Sequence, residues 1–469
     1  MYRLLVLTPL VMFACSRDRE APGKSSDKPA AVADPCSKAK PHGPLAWIAD
    51  DYASAIACAR HKQVPLVLDL WAPWCHTCLS MQSTVLVDKA FEADGKRFVF
   101  ASLDTDRDNN AAAVAKFPPG AWPTFYVISP DEVVLARFVG AASVAQFKAF
   151  LDAGVRALAG GGVGADGHLL AAERAIASKD PAKGEAELEA AIAKAPAGWS
   201  RQPDALVTLI QLKSKRKDHA GCVTLAETWL DKTGTAASAS DFLTYATGCA
   251  DELVKTEPER VQKLRERAVA RWKQLTGDPA AQLSVDDRSD ALANLRSTYE
   301  ALGKPTEAKA TAEAQRALLD EAAAKAGNPM AASTYNWHRA EVYVYLQRPL
   351  ELVPALQKSV ADLPDDYDPP ARLGWVYWKA GKLDEAAKAT ERAIKLAYGP
   401  RKVRVLNQRS EIAKAQGDKA AETQYRQEIV KTLKALPPSQ TSSDAIASAE
   451  KAVVELQTPD PGMPAPASK

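Results

Sequence analysis

Two cysteines three positions apart, Cys75 and Cys78 in Trp74-Cys75-His76-Thr77-Cys78, are the residues of this chain best suited to do chemistry. A thiolate attacks disulfides, whereas a free thiol with a pKa near 8.5 is mostly protonated at neutral pH. The apolar run 64–71 ahead of the pair reads as a buried strand, and Leu79 to Val87 reads as a helix. Cys75 therefore falls at a helix N-terminus, where free backbone N–H groups and the positive end of the helix dipole favour the anion. Cys78, one turn along, is near enough to attack a mixed disulfide formed on Cys75. Attack by Cys75 and resolution by Cys78 are the expected roles. Protonated His76 would stabilise the thiolate and the reduced pair, giving a potential of about −250 to −150 mV. Asp69 interrupts the apolar strand six residues before Cys75. Burial there would raise its pKa.

Competing chemistries find less support. Zinc on Cys75 and Cys78 would need two more ligands nearby, and the six histidines are scattered along the sequence, so no metal is expected. Asp104, Asp106 and Asp108 imitate the start of a calcium loop, but Asn109 replaces its glycine and Ala115 its terminal glutamate, which leaves a solvated loop. No phosphate loop, serine nucleophile motif or nucleotide fingerprint is present, and no cofactor is expected. With 469 residues and a formal net charge of +2, the chain has length for several domains and no imbalance pointing to nucleic acid.

The elements that must hold the pair lie in residues 45–158, where helix-like and strand-like patterns alternate. Phe98 to Leu103 reads as a second buried strand. Pro123 to Ile128 and Val133 to Phe138 read as two strands joined by a turn at 129–131, and Val144 to Val155 as an amphipathic helix. The fold class is α/β, a mixed sheet flanked by helices. The glycines at 160–162 and 164 mark a linker, 159–167. Residues 168–436 are helical throughout, and 437–469 form a partly disordered tail.

Residues 69–78, Asp69-Leu70-Trp71-Ala72-Pro73-Trp74-Cys75-His76-Thr77-Cys78, resemble the active-site segment of thioredoxins. Ala121-Trp122-Pro123-Thr124 resembles their cis-proline loop, and Gly140 falls where they keep a glycine before the final helix. The stretch after the cysteines, through Phe91, is more similar to the C-terminal domains of DsbD-type interchange proteins. The resemblance implies a thiol–disulfide oxidoreductase in which Asp69 takes the resolving cysteine's proton, Trp74 and His76 tune the pair, and a cis Pro123 with Trp122 binds an extended substrate segment. The Trp122 ring would either shield Cys75 or pack inward. Ser102 stands where thioredoxins carry a lysine, and Leu79 replaces a basic residue, making the surface near the site less positive.

The helical zone resembles tetratricopeptide repeats. Leu373, Gly374, Tyr377, Gly381, Ala386 and Ala393 fall at the spacings of the 34-residue repeat, with Thr390 in place of an aromatic. Leu295, Tyr299, Gly303 and Ala308 form a partial copy, and another begins near Leu170 with Ala186, Ala190 and Ala193 on its second helix. About six or seven helix pairs are expected, and such repeats bind partner proteins.

The N-terminus suggests export. Arg3 precedes an apolar run, Leu4 to Ala14, too short to span a membrane but suited to a signal peptide. Met12-Phe13-Ala14-Cys15 resembles a bacterial lipobox, with Met12 where leucine is preferred. Cleavage after residue 14 would leave Cys15 lipidated, and Ser16 favours the outer membrane. Residues 16–44 read as a flexible tether. In an oxidising compartment the other cysteines invite pairing, Cys222 with Cys249 and Cys36 with Cys58, although connectivity stays open. The reading is a lipid-anchored, periplasm-facing oxidoreductase acting on protein or peptide disulfides, apocytochrome cysteines among them, with reduction the preferred direction. The rival reading is a cell-envelope scaffold whose repeats carry the function.

Overall fold

The structure is a computed structural model that describes residues 34–457. Cys15, the signal-peptide reading, the first part of the tether and the last twelve residues lie outside that range.

Strand β3 (Leu66–Trp71) runs through the middle of a six-stranded sheet with β1 (Lys40–His42), β2 (Leu45–Ala49), β4 (Val99–Asp104), β5 (Thr124–Ile128) and β6 (Val134–Val139). The order is β1-β2-β4-β3-β5-β6, with β2, β4 and β3 parallel and the other pairings antiparallel. Alternation along β3 sends Leu66, Leu68 and Leu70 to one face and Val67 to the other. The first face packs on Ala55, Ile56 and Ala59 of α1 (Tyr52–Lys62) and on α3 (Ala111–Lys116). The second packs on Phe147, Phe150 and Leu151 of α4 (Val144–Leu158) and on Met81 and Val85 beyond α2 (His76–Ser80). Both faces are covered, which is why the strands read as nearly continuous apolar runs. The mixed sheet with flanking helices expected from the sequence is present.

The remaining chain is helical: α5 (Gly164–Ala177), α6 (Pro181–Ala193), α7 (Gln202–Lys215), α8 (His219–Trp229), α9 (Ala237–Leu253), α10 (Pro258–Gly277), α11 (Val285–Ala301), α12 (Pro305–Lys325), α13 (Pro329–Ser333), α14 (Asn336–Tyr345), α15 (Val353–Asp362), α16 (Asp368–Lys379), α17 (Leu383–Leu396), α18 (Gly399–Gln416), α19 (Lys419–Ala435) and α20 (Ser443–Gln457). From α5 to α12 and from α16 to α19 they pair as hairpins, while α13 to α15 form an irregular unit around a 3₁₀ turn at Pro349–Leu352. The best sequence copy shows why the hairpins close. A Cβ on Gly374 would lie 2.4 Å from Thr390 Oγ1, so glycine lets α16 approach α17, and Gly381 turns the chain between them at φ +73°. Thr390, lacking aromatic bulk, accepts a hydrogen bond from Gln408 Nε2 at 3.0 Å and so ties α17 to α18.

Several expectations change. The tether does not extend to residue 44, because the Cys36–Cys58 disulfide and the β1–β2 hairpin belong to the first domain. Within the tail, residues 443–457 form α20, whose Ala445, Ile446 and Ala449 pack on Leu433. The copy near Leu170 has a different register: Gly184, Leu188 and Ala191 are buried on α6, whereas Ala186 and Ala193 are exposed. The Leu79–Val87 helix is broken into α2 and a π-helical turn, Met81–Val85.

The helices do not trail from the first domain but curve around it. Arg174 of α5 and Arg201 before α7 donate to the β6 carbonyls of Val134 and Arg137 at 2.9 and 3.1 Å. Helices α11 and α13 lie against α2. Beyond α19, Gln440 Nε2 donates to Thr105 O at 2.9 Å. The expected flexible linker is thus a short connection between packed bodies.

Candidate active site

Cys75 is the N-cap of α2, and its Sγ accepts the Cys78 N–H at 3.0 Å. The same donor would stabilise a thiolate. The two sulfurs are disulfide-bonded, with 5.2 Å between Cα atoms. Pro123 follows Trp122 through a cis peptide bond, and its carbonyl accepts the Gly140 N–H at 2.9 Å, fixing the loop to the end of β6. Cys222 and Cys249 are disulfide-bonded between α8 and α9.

Asp69 is 1 % exposed, on the sheet face that carries Val67. Its Oδ2 has one weak partner, Gln82 Nε2 at 3.4 Å, and its Oδ1 has none. Burial pushes its carboxyl up to about 7, against a small lowering by Gln82. A carboxyl poised near neutrality can accept or return a proton.

The surroundings are the feature that sequence reasoning missed. Cys75 is 4 % exposed and Cys78 1 %, packed with Ala72, Trp71 and Trp74, and the helical domain packs on Trp74 and on α2 beside them. Trp74 is the anchor. Its indole donates to Asp106 Oδ2 at 2.8 Å and packs on Trp122 at 5.2 Å between ring centroids. The Arg401 guanidinium lies 4.9 Å over the Trp74 ring, and Arg372 reaches the Trp74 carbonyl at 3.4 Å. Tyr367, Ala393 and Val405 complete this apolar seat. The loop after β4 is only partly solvated: Asp104 and Asp106 are buried, with the Tyr398 hydroxyl donating to Asp104, while Asp108 and Asn109 are exposed. Burial raises Asp106 to about 6, despite its bond from Trp74. Leu79 is buried. Positive charge near the pair comes from Arg372, Arg401 and Arg404 of the repeats. Burial and the neighbouring Arg372 lower Arg401 to about 10.

Trp122 does not pack inward: it is 37 % exposed. Its indole donates to Thr105 Oγ1 at 2.8 Å, and its ring lines the rim of a cavity of about 850 Å³ with Trp74, Arg401 and Gln440. A second cavity of about 350 Å³, on the other side of Trp74, is lined by His76, Trp337, Trp375 and Arg372. His76 turns toward the repeats, with Nδ1 2.9 Å from Asp286 Oδ2 and 3.2 Å from His338 Nε2. Burial alone would lower its pKa, but Asp286 and Asp290 carry it above the ordinary value. His338 and both aspartates belong to helices more than 200 residues away in sequence, so no local motif could have announced them.

A family model described as thioredoxin-like matches residues 46–130. A thioredoxin of Haemophilus influenzae is 32% identical over 102 residues, covering 22% of this chain and 88% of that protein. A thioredoxin of Mycolicibacterium smegmatis is 33% identical over 94 residues, covering 20% of this chain and 80% of that protein. Among solved structures, a tetratricopeptide repeat protein from Parabacteroides merdae superposes with a TM-score of 0.40 at 14% identity, covering 62% of this chain and 98% of that chain.

Proposed function

The chain belongs to the thioredoxin family through its first domain, and from that premise we propose that it is a thiol–disulfide oxidoreductase whose active site works inside a helical enclosure. The observation that carries the reading is Cys75, capping α2 with its sulfur on the Cys78 N–H, in a domain that also holds a cis-proline loop and a buried carboxyl near neutrality. In the reduced protein the Cys75 thiolate attacks a substrate disulfide sulfur, and one substrate sulfur leaves as a thiol. Cys78, its proton passed to Asp69, then attacks Cys75 Sγ, releasing the second substrate thiol and leaving the Cys75–Cys78 disulfide. The substrate is a protein or peptide disulfide, and an external dithiol restores the pair. The three disulfides suit an oxidising compartment, which supports the cell-envelope placement with lipidation at Cys15.

The enclosure restricts the substrate. An extended segment lying along the Trp122-Pro123 loop has to enter by the cavity at Trp122, whose lining includes Arg401 and Arg404. The test is replacement of Cys78 by serine, which leaves Cys75 to hold its partner covalently. Trapped proteins that are absent when Cys75 is also replaced support the reading.

The near-complete burial of Cys75 favours one other reading, a scaffold whose repeats carry the function and whose redox pair is structural. It prevails if nothing is trapped and the native protein neither reduces nor oxidises a model peptide disulfide.

A further inference from the structure

The side chains that meet over His76 have a composition and geometry that hydrogen bonding alone leaves unexplained. His76 Nδ1 on α2, His338 Nε2 on α14 and an Asp290 carboxylate oxygen on α11 all lie within 4.8 Å of one another. The two ring nitrogens face each other across 3.2 Å, and His338 Nε2 is 3.0 Å from Asp290 Oδ1. Asp290 Oδ2 is 4.0 Å from His76 Nδ1. Asp286 flanks both rings, with Oδ2 2.9 Å from His76 Nδ1 and Oδ1 3.9 Å from His338 Nε2. Asp286 is 1 % exposed, and its Oδ1 has no hydrogen-bond partner. Such an oxygen, facing an imidazole nitrogen inside the protein, is an unmet acceptor at the centre of the cluster.

We propose that His76, His338 and Asp290, with Asp286 beside them, form a binding site for a divalent transition-metal ion of the zinc type. Zinc takes imidazole nitrogen and carboxylate oxygen at about 2.0–2.2 Å in tetrahedral geometry, which sets neighbouring donor atoms about 3.3 Å apart. His338 Nε2 lies near that length from His76 Nδ1, at 3.2 Å, and from Asp290 Oδ1, at 3.0 Å, while His76 Nδ1 is 4.0 Å from the other Asp290 oxygen, Oδ2, so closing the shell takes a rotation of the Asp290 carboxylate. Two imidazoles and carboxylates favour zinc and its neighbours over calcium or magnesium, which take oxygen shells. His338 Nδ1 faces Glu341 Oε2 at 3.5 Å, an ion-pair distance without a hydrogen bond, so the far side of the ring is not yet fixed by an outer partner. The ligands come from both domains, so a bound ion ties α2, one residue past Cys75, to α11 and α14. The site stands independently of the direction or substrate of the disulfide chemistry.

The test uses the full chain without a histidine tag, with Cys75–Cys78 oxidised and any free thiol blocked, so that thiolates cannot compete. The metal-stripped protein is titrated with zinc against a chromogenic chelator at neutral pH. One equivalent bound with sub-micromolar affinity is expected, at least tenfold weakened in Asp290→Asn and in His338→Ala and unchanged in His168→Ala. Asp290→Asn preserves side-chain shape, and circular dichroism identifies a variant that fails to fold. A cobalt-substituted native protein gives a second readout, intense visible absorption from four-coordinate ligation. No stoichiometric binding by the native protein, or binding that survives both ligand substitutions in folded protein, overturns the proposal.

Discussion

Replacing Asp69 by asparagine tests the electrostatics of the buried carboxyl on the strand that leads to the cysteine pair. In the folded protein this carboxyl titrates at about 7 instead of 3.8, because burial penalises the charged form and Gln82 offers only a 3.4 Å contact. In the unfolded chain it titrates near the ordinary value. Between about pH 4 and 7 the folded state therefore holds a proton that the unfolded state has lost, and stability falls as pH rises through that window. At ~1.4 kcal/mol per pKa unit the accumulated penalty above pH 7 is ~4 kcal/mol. Asparagine cannot ionise, so Asp69→Asn is expected to be more stable than the native chain by that order at pH 8. The two should be nearly equal at pH 4. Urea unfolding of the first domain in both proteins, with all disulfides intact, measures the difference at several pH values. The same variant lacks the proton acceptor, so release of a mixed disulfide from Cys75 is expected to slow by about 10²-fold, the usual scale for general base catalysis. A stability difference that does not change between pH 4 and 8 would refute the argument. So would an unchanged release rate.

Two further outcomes follow from the same structure. Replacing Cys222 and Cys249 by alanine removes a crosslink spanning 27 positions, and the loop-entropy relation gives a loss of about 3–4 kcal/mol. A fall in the melting temperature of the helical domain, with the Cys75–Cys78 potential unchanged, is the expected result. Loosening the enclosure at its anchor, by Arg401→Ala together with Tyr398→Phe, removes the cation over Trp74 and the hydroxyl on Asp104. Reduction of Cys75–Cys78 by a small dithiol is expected to accelerate several-fold, read by quenched-flow alkylation; an unchanged rate would mean that the repeats do not limit access to the sulfurs.

What could be read from the sequence was local. Buried parallel strands are apolar on both faces, so β3 and β4 announced themselves within two residues of their ends. Cys75 and Cys78 sit one helical turn apart, and their placement at a strand–helix junction needed only that spacing. Asp69 stood out because a carboxyl among leucines has few structural uses. Two hairpins of the repeat domain were visible through the small residues that let helices approach, Gly374, Ala386 and Ala308. Where that packing signal shifted, as on α6, the register was misjudged, since alanine is so common in these helices that Ala186 and Ala193 imitate a packing face while Leu188 forms the real one.

Only the tertiary structure decided how the pair is surrounded. The sequence establishes a cysteine couple at a helix N-terminus, with a buried acid before it and a proline loop after it, because each depends on neighbours a few residues apart. It does not reveal that Trp74 is seated against Tyr367 and Arg401, or that His76 meets Asp286, Asp290 and His338. Those contacts bridge more than 200 residues and depend on the accumulated curvature of successive helix pairs, each adding a small rotation that no single repeat records. The chemistry of the two sulfurs is therefore written locally, while the contacts made by Trp74 and His76 on either side of Cys75 are set by the path of the whole helical domain.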